Sequence, residues 1–408
     1  MRGIFSTPGL CALLLMLSSV SVAFAQGESG LSIKVGEADF FPSVRIDFVS
    51  SDNAFLTDDS PVDTRGLLVK PTFELLADRR LLNVSLKYDG DYGVFDEDVR
   101  DFDDHNLSLF AQADLATRHS VTGSLSVDKS HERFGLNFTR GEPVDSTEQV
   151  EFVTTDLTVT HTFGAADARG NIETGISIQN RNYLNEESLT SGFSFTRILP
   201  SIALTYRLSS TARALLGLDY AIFDFTDDTR DRDDASIFAG IRLAEGRKTS
   251  GSARLSISNS DFSENFREDT TTLVANIGLV YKPVRFSQIS LDINRLLDNF
   301  DGVASATNSE QSIRDTVNIR WRHAWTSRVS SLGVVNHTNL SRDCPDVDTA
   351  ITTVGFEFSV AIRRVLSVGA SIDQSSRNDS RCSDDTLEQS IEEDFDRTRF
   401  GVFFRAVL

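Results

Sequence analysis

Apolar and polar residues alternate one for one along most of this chain. Leu82, Val84, Leu86 and Tyr88 are interleaved with Asn83, Ser85, Lys87 and Asp89. Leu107, Leu109, Ala111, Ala113 and Leu115 alternate with Ser108, Gln112 and Asp114, and Val121, Leu125 and Val127 with Thr122, Ser124, Ser126 and Asp128. A period of two marks a strand with one apolar and one polar face. The rhythm returns at Ile172/Ile176/Ile178, Leu216/Leu218/Tyr220, Leu255/Ile257, Ile289/Leu291/Ile293, Val317/Ile319/Trp321, Val354/Phe356/Phe358/Val360 and Leu366/Val368/Ala370/Ile372. Runs of about ten residues suit tilted strands that cross a bilayer.

The connections alternate in length. Short turns are expected at Asp78-Arg79-Arg80, Ala116-Thr117-Arg118, Ser209-Ser210-Thr211, Glu245-Gly246-Arg247, Lys282-Pro283-Val284 and Arg363-Arg364. Longer acidic loops at 96–104, 224–234 and 378–394 lie between them. Outer-membrane barrels join their strands by short periplasmic turns and longer outside loops. The predicted fold is therefore all-β: a single transmembrane antiparallel up-and-down β-barrel of about 18 strands (roughly 16–18) over residues 42–408.

A soluble sandwich would use the same alternation with its apolar face turned onto a core. Three features favour the barrel. The polar face mixes hydroxyl and amide residues with charges of both signs, as a wet lumen would. The strand–turn unit is roughly 20 residues, against about 8–12 in sandwiches. The last nine positions place Phe400, Val402, Phe404, Ala406 and Leu408 on one face, an amphipathic closing strand of the kind the outer-membrane barrel assembly machinery recognises. Such strands mostly end in Phe or Trp, and Leu408 departs from that.

The N-terminus agrees. Arg2 precedes an uncharged run over 3–25 with the apolar core Leu10-Cys11-Ala12-Leu13-Leu14-Leu15-Met16-Leu17, which ends in Ala23-Phe24-Ala25 before Gln26. These are the parts of a cleaved signal peptide, assigned to residues 1–25. A membrane anchor would need about 20 apolar residues, and Ser18, Ser19 and Ser21 interrupt this one. Residues 26–41 are then a short periplasmic segment, too short for a globular plug. The 29 Phe, 2 Met and 8 Pro, with 60 acidic against 40 basic residues, are an odd composition for a soluble enzyme. No linker or change of texture divides the chain after residue 40.

If the apolar face meets lipid, the other face lines the interior. Acids expected there include Asp47, Glu74, Asp89, Asp91, Asp114, Asp128, Asp156, Glu173, Asp219, Asp292, Glu357 and Asp373. Bases include Arg45, Lys70, Lys87, Arg181, Arg213, Arg254, Arg320, Arg322, Arg399 and Arg405. Such rows set a transverse field that orders water and tunes which solutes pass; the bland alternative is cross-strand pairing that only satisfies an interior. Much of the net charge of −20 falls in the loops. A loop such as 131–148 can fold inward and narrow the pore, which the sequence leaves open.

The acidic loops match no calcium-loop spacing and read as solvated charge runs. Cys344 and Cys382 fall on adjacent outside loops, and the oxidising export route permits a disulfide between them. His105, His119, His131, His161, His323 and His337 are scattered, and none neighbours a convincing nucleophile in sequence. No zinc spacing, phosphate loop or nucleic-acid patch is present, so neither an enzyme nor a resident cofactor is expected.

Pro42-Ser43-Val44 leading to Ser51-Asp52-Asn53-Ala54-Phe55, Tyr88-Asp89-Gly90-Asp91-Tyr92-Gly93, and Asp103-Asp104-His105-Asn106-Leu107-Ser108 resemble the β-barrel porin type 2 family. The likeness covers the first third; beyond it only strand rhythm matches. It implies a barrel of about 18 strands serving as the outer-membrane exit for a secreted exopolysaccharide or capsular polysaccharide, with periplasmic export components as partners. A sugar conduit would use aromatic platforms, for which inward Phe110 and Phe403 are candidates. The alternatives are a porin for small hydrophilic solutes and a non-conducting structural or adhesive barrel that acts through its loops. Outer-membrane lipid and lipopolysaccharide are the expected surroundings, in a Gram-negative bacterium.

Overall fold

A computed structural model describes residues 32–58, 61–135, 138, 148–165, 167–244, 246, 248–263, 269–297, 313–341, 347–381 and 394–407. The signal-peptide assignment, Cys344 and Cys382 lie outside them. The strands are β1 (Ile33–Val35), β2 (Ala38–Ser51), β3 (Thr64–Arg79), β4 (Leu82–Phe95), β5 (Phe102–Ala116), β6 (His119–His131) and β7 (Glu151–Phe163). Then come β8 (Gly170–Tyr183), β9 (Phe195–Arg207), β10 (Ala212–Phe225), β11 (Arg232–Leu243), β12 (Thr249–Phe262) and β13 (Thr270–Val284). The last six are β14 (Ser287–Leu297), β15 (Ile313–Ala324), β16 (Val329–Ser341), β17 (Val347–Arg363), β18 (Leu366–Arg381) and β19 (Phe395–Val407).

Each strand from β2 onward pairs antiparallel with the next, and β19 pairs back onto β2 from Arg399↔Ser51 to Val407↔Ser43. The result is a closed barrel of 18 strands with β1 as a short extra strand. Closure is what lets the sheet enter hydrocarbon, because no edge N–H or C=O is left open. The wall begins at Ala38, ahead of the expected Pro42, because β1 pairs with residues 38–40 where β19 has already ended. Pro42 falls between those two partners on one side and opposite Phe73 of β3 on the other.

The connections alternate between a short-turn end and a long-loop end, as the sequence predicts. The loops are shorter than expected, however. Phe102–Asp104 and Arg232–Asp234 are paired strand, and β18 runs on to Arg381. Charged residues are tolerated in strand once the wall has left the lipid. The turn expected at Lys282-Pro283-Val284 falls later, at Arg285 and Phe286, after a register shift between Tyr281 and Val284.

The outward face carries an apolar band. Leu218 (54% exposed) stands between Ile202 and Ile237 in register, and neighbouring strands continue the band with Leu255, Ile257 and Leu273. Near the short-turn end it meets an aromatic cluster of Trp321, His323, Trp325 and Phe286, with ring centroids 4.4–6.4 Å apart. The indole N–H groups donate to Ser287 and Ser331, at 3.1 and 3.0 Å. Amphipathic rings with a satisfied polar end belong at a membrane interface. A charge in the band is expensive: Leu218→Arg is expected to destabilise the barrel by about 2–4 kcal/mol, read by urea unfolding in liposomes, whereas Arg beside Trp325 should cost far less. Equal costs at the two depths would remove lipid from the picture.

Candidate functional site

Residues paired in register share a face, so the ladder itself fixes which side chains line the lumen. Among the predicted acids and bases, Arg45 and Asp47 (β2), Lys70 and Glu74 (β3), and Lys87, Asp89 and Asp91 (β4) point inward, as do Asp114 (β5), Asp128 (β6) and Asp156 (β7). Glu173 and Arg181 (β8), Arg213 and Asp219 (β10), Arg254 (β12), Asp292 (β14), and Arg320 and Arg322 (β15) share that face. So do Glu357 (β17), Asp373 (β18), and Arg399 and Arg405 (β19).

The structure joins many of them. Arg45 bonds Asp47 at 2.6 Å and Glu357 at 2.9 Å, reaching across β19 and β18 to β17. Lys70 meets Asp91 at 3.1 Å, and Lys87 meets Asp89 at 3.0 Å. Arg254 pairs with Asp219, and Arg242 reaches Glu173 at 2.9 Å across two strands. Asp373 receives Arg399 at 2.9 Å and Arg397 at 3.1 Å. Arg181 donates to Thr154, and Asn106 to Asp128, each at 3.1 Å.

What the sequence reading missed is mostly arginine: Arg197, Arg207, Arg232, Arg242, Arg314, Arg377 and Arg397 also point inward. Two of them, Arg232 and Arg377, lie within or just before stretches taken for acidic loop. Arg197 is flanked at i±2 by Phe195 and Leu199, which hide the polar parity of that face. Counting parity outward from Arg213 would have recovered it. With these included, the interior divides. On β8–β12 the inward bases Arg181, Arg197, Arg207, Arg213, Arg232, Arg242 and Arg254 outnumber the inward acids Glu173, Asp219 and Asp234. On β3–β6 the inward acids Glu74, Asp89, Asp91, Asp104, Asp114 and Asp128 outnumber Lys70 and Lys87.

Several of these cations are fixed by a repeated three-layer device. Gly217 faces Phe238 across the ladder, and a Cβ at Gly217 would overlap the Phe238 ring. The ring lies over the glycine backbone and carries the Arg254 guanidinium on its other face, 3.6 Å from its centroid. Gly369, Phe403 and Arg45 repeat this at 3.7 Å, and Gly66, Phe95 and Arg100 at 4.5 Å. In a fourth stack His131 lies on Phe102, opposite Gly93, at 4.2 Å. A desolvated cation–π contact contributes up to about 2 kcal/mol and removes side-chain freedom. Phe403 is 2% exposed beneath Arg45, so it is not the open sugar platform expected of it; Phe110 keeps its inward position and partial exposure. Gly217→Val should displace both ring and cation and cost about 1–3 kcal/mol as an overpacked site, measured as a lowered urea midpoint; an unchanged midpoint would show that the ring has room to move.

The long-loop end is roofed. From the connection between β6 and β7, Phe134 packs edge-on against Phe55 of the β2–β3 connection, with centroids 5.7 Å apart, and Ala54 and Val99 complete the cluster. Gly135, at φ +71°, presents its carbonyl to Arg377 Nη1 at 2.5 Å, a bond from this loop to the inner face of β18. Gln149 Nε2 donates to the Val99 carbonyl at 3.0 Å. The described part of loop 131–148 thus folds inward, which the sequence left open. Beneath it lies a cavity lined by Ser51, Thr64, Phe95, Arg100, Phe102, His131, Arg133, Gln149, Arg397 and Arg399.

The histidines are less scattered in space than in sequence. His119 Nδ1 and His161 Nε2 are 3.0 Å apart on the outer face, and His131 Nδ1 meets Asp104 at 2.8 Å. Among the described residues, no three His, Cys, Asp or Glu side chains converge as metal ligands do.

A closed antiparallel barrel with an apolar outside and a charged, partly roofed inside is an integral membrane β-barrel of the outer-membrane type. No protein-family model matches the chain, and no curated protein matches it in sequence. Among solved structures it is similar to OccK11 (OpdR) of Pseudomonas aeruginosa, at 11% identity and TM-score 0.43, over 93% of this chain and 100% of that one. It is also similar to the FrpB iron transporter of Neisseria meningitidis, at 8% identity and TM-score 0.44, over 92% of this chain and 83% of that one. The fold rests on register and closure, not on these likenesses.

Proposed function

We propose that this protein is an outer-membrane channel of a Gram-negative bacterium that passes hydrophilic cargo through its lumen. The observation that carries this is the lumen wall: a ring of 18 strands, a size at which barrels leave an aqueous passage, lined by fixed charges along most of its strands beside an apolar cluster of Phe195, Ala221, Phe223 and Phe225. The resemblance to porin type 2 barrels makes an exported polysaccharide the first cargo, with periplasmic export components delivering it. Closing strand β19 would be the segment read by the assembly machinery, and the long loops would stand among lipopolysaccharide. The roof favours a second reading. A mouth narrowed by Phe55, Phe134 and the Arg377–Gly135 bond suits small hydrophilic solutes better than a polymer, unless the roof moves.

Single-channel recording of the refolded barrel in a planar bilayer separates the two, with folding verified by heat-dependent gel mobility. Stable steps blocked by added polysaccharide are expected for an export conduit. Steps indifferent to polymer would leave the small-solute channel. A verified barrel without steps would defeat both readings and turn attention to the loops.

A further inference from the structure

Among the described residues, the lining of the roofed cavity carries four arginines and no carboxylate. Arg397 and Arg399 enter from β19, Arg100 from the β4–β5 connection, and Arg133 from loop 131–148. Three described carboxylates near them are already engaged. Asp373 is shared by Arg397 and Arg399, Asp104 holds His131, and Asp91 holds Lys70. Glu97 lies near Arg100 but does not offset its surroundings: burial, with Arg133 and Arg399 adding to it, pushes the Arg100 guanidinium down to about 10. Burial and Arg399 lower Arg133 as well.

Two N–H donors here are buried without a hydrogen-bond partner, Nη1 of Arg100 and Nε of Arg397. A buried donor left unpaired costs about 1–3 kcal/mol, more when it is charged, and like charges held together add to that cost. An oxyanion offsets both terms, since guanidinium forks match carboxylate, phosphate and sulfate oxygens. Arg100 is already positioned by Phe95 beneath it, and Arg397 and Arg399 by Asp373, so little ordering is required on binding.

We infer that Arg100, Arg397 and Arg399 form an oxyanion-binding site under the roof, which takes an acidic group carried by the cargo, as on a uronate-bearing saccharide. This rests on the channel reading for its biological meaning but not for its test, because binding is measured whether or not the barrel conducts. A free inorganic anion would present the same chemistry, and the experiment distinguishes the two sources.

The full refolded barrel would be titrated in a calorimeter with inorganic phosphate, with trigalacturonate, and with neutral maltotriose of equal length. Saturable binding of trigalacturonate but not maltotriose is expected, weakened about tenfold or more in Arg100→Gln/Arg399→Gln, as loss of charge-assisted bonds predicts. Arg100→Gln alone, in a connection outside the wall, covers the case in which the double variant does not fold. Arg295→Gln, on the outer face beside Asp315, should bind as the native barrel does. If phosphate binds and trigalacturonate does not, the cargo assignment is overturned. Binding by neither anion, or binding that survives both variants, overturns the site.

Discussion

Gly135→Val is expected to open the roof, so that larger conductance sub-states appear far more often than in the native barrel. Gly135 sits at φ +71°, where a β-branched residue is strained by about 1–3 kcal/mol. Its new Cβ would also lie 2.5 Å from the Phe55 carbonyl oxygen. Both effects act on the roofed state alone. The same 1–3 kcal/mol, applied to an equilibrium between roofed and open forms, changes the open population roughly 5–150-fold. Arg377→Gln attacks the tie from the other side, since Arg377 is the β18 donor to the Gly135 carbonyl. The two variants act on one bond, so their effects should fall short of additive. Sub-state frequencies in planar-bilayer records are the readout. If neither variant shifts them, the inward loop is a rigid part of the wall and the narrow mouth is the working aperture.

Asp373→Asn is expected to be the most destabilising isosteric change in the lumen, by about 3–5 kcal/mol, because removing one partner of a buried ion pair strands the other. Here two arginines are stranded, Arg397 and Arg399, around a side chain that is 3% exposed. The amide keeps the shape, so no cavity term contributes. Urea unfolding in liposomes would report the loss, and pairing the change with Arg397→Gln should recover part of it. A loss within about 0.5 kcal/mol, the range of ordinary surface substitutions, would mean that water already screens this cluster. Because ligands of the native state stabilise it by mass action, added phosphate should also restore the variant in part if the oxyanion site exists.

These expectations rest on different levels of the molecule. Strand identity was legible in the sequence because alternation is local: Leu216, Leu218 and Tyr220 announce the outer face of β10 with no knowledge of their partners. Where apolar residues also occupy the inner face, the signal fails. Phe195 and Leu199 concealed Arg197, and Phe238 reads as ordinary core until Gly217 and Arg254 are seen on either side of it. The acidic stretches read as loop throughout because charge says a segment is wet, and a wet strand beyond the lipid looks the same.

The sheet, its closure into a membrane barrel and the alternation of short and long connections can be read from the chain alone, since each follows from a period of two and the need to pair every backbone group. The interior is fixed by long-range pairing instead. Arg45 meets Glu357 at a separation of 312 residues, and Arg377 meets Gly135 at 242. Such contacts depend on where closure brings the first and last strands and on how a loop returns over them. No local pattern encodes that, because alternation marks which residues face inward and says nothing of which strand they will finally oppose.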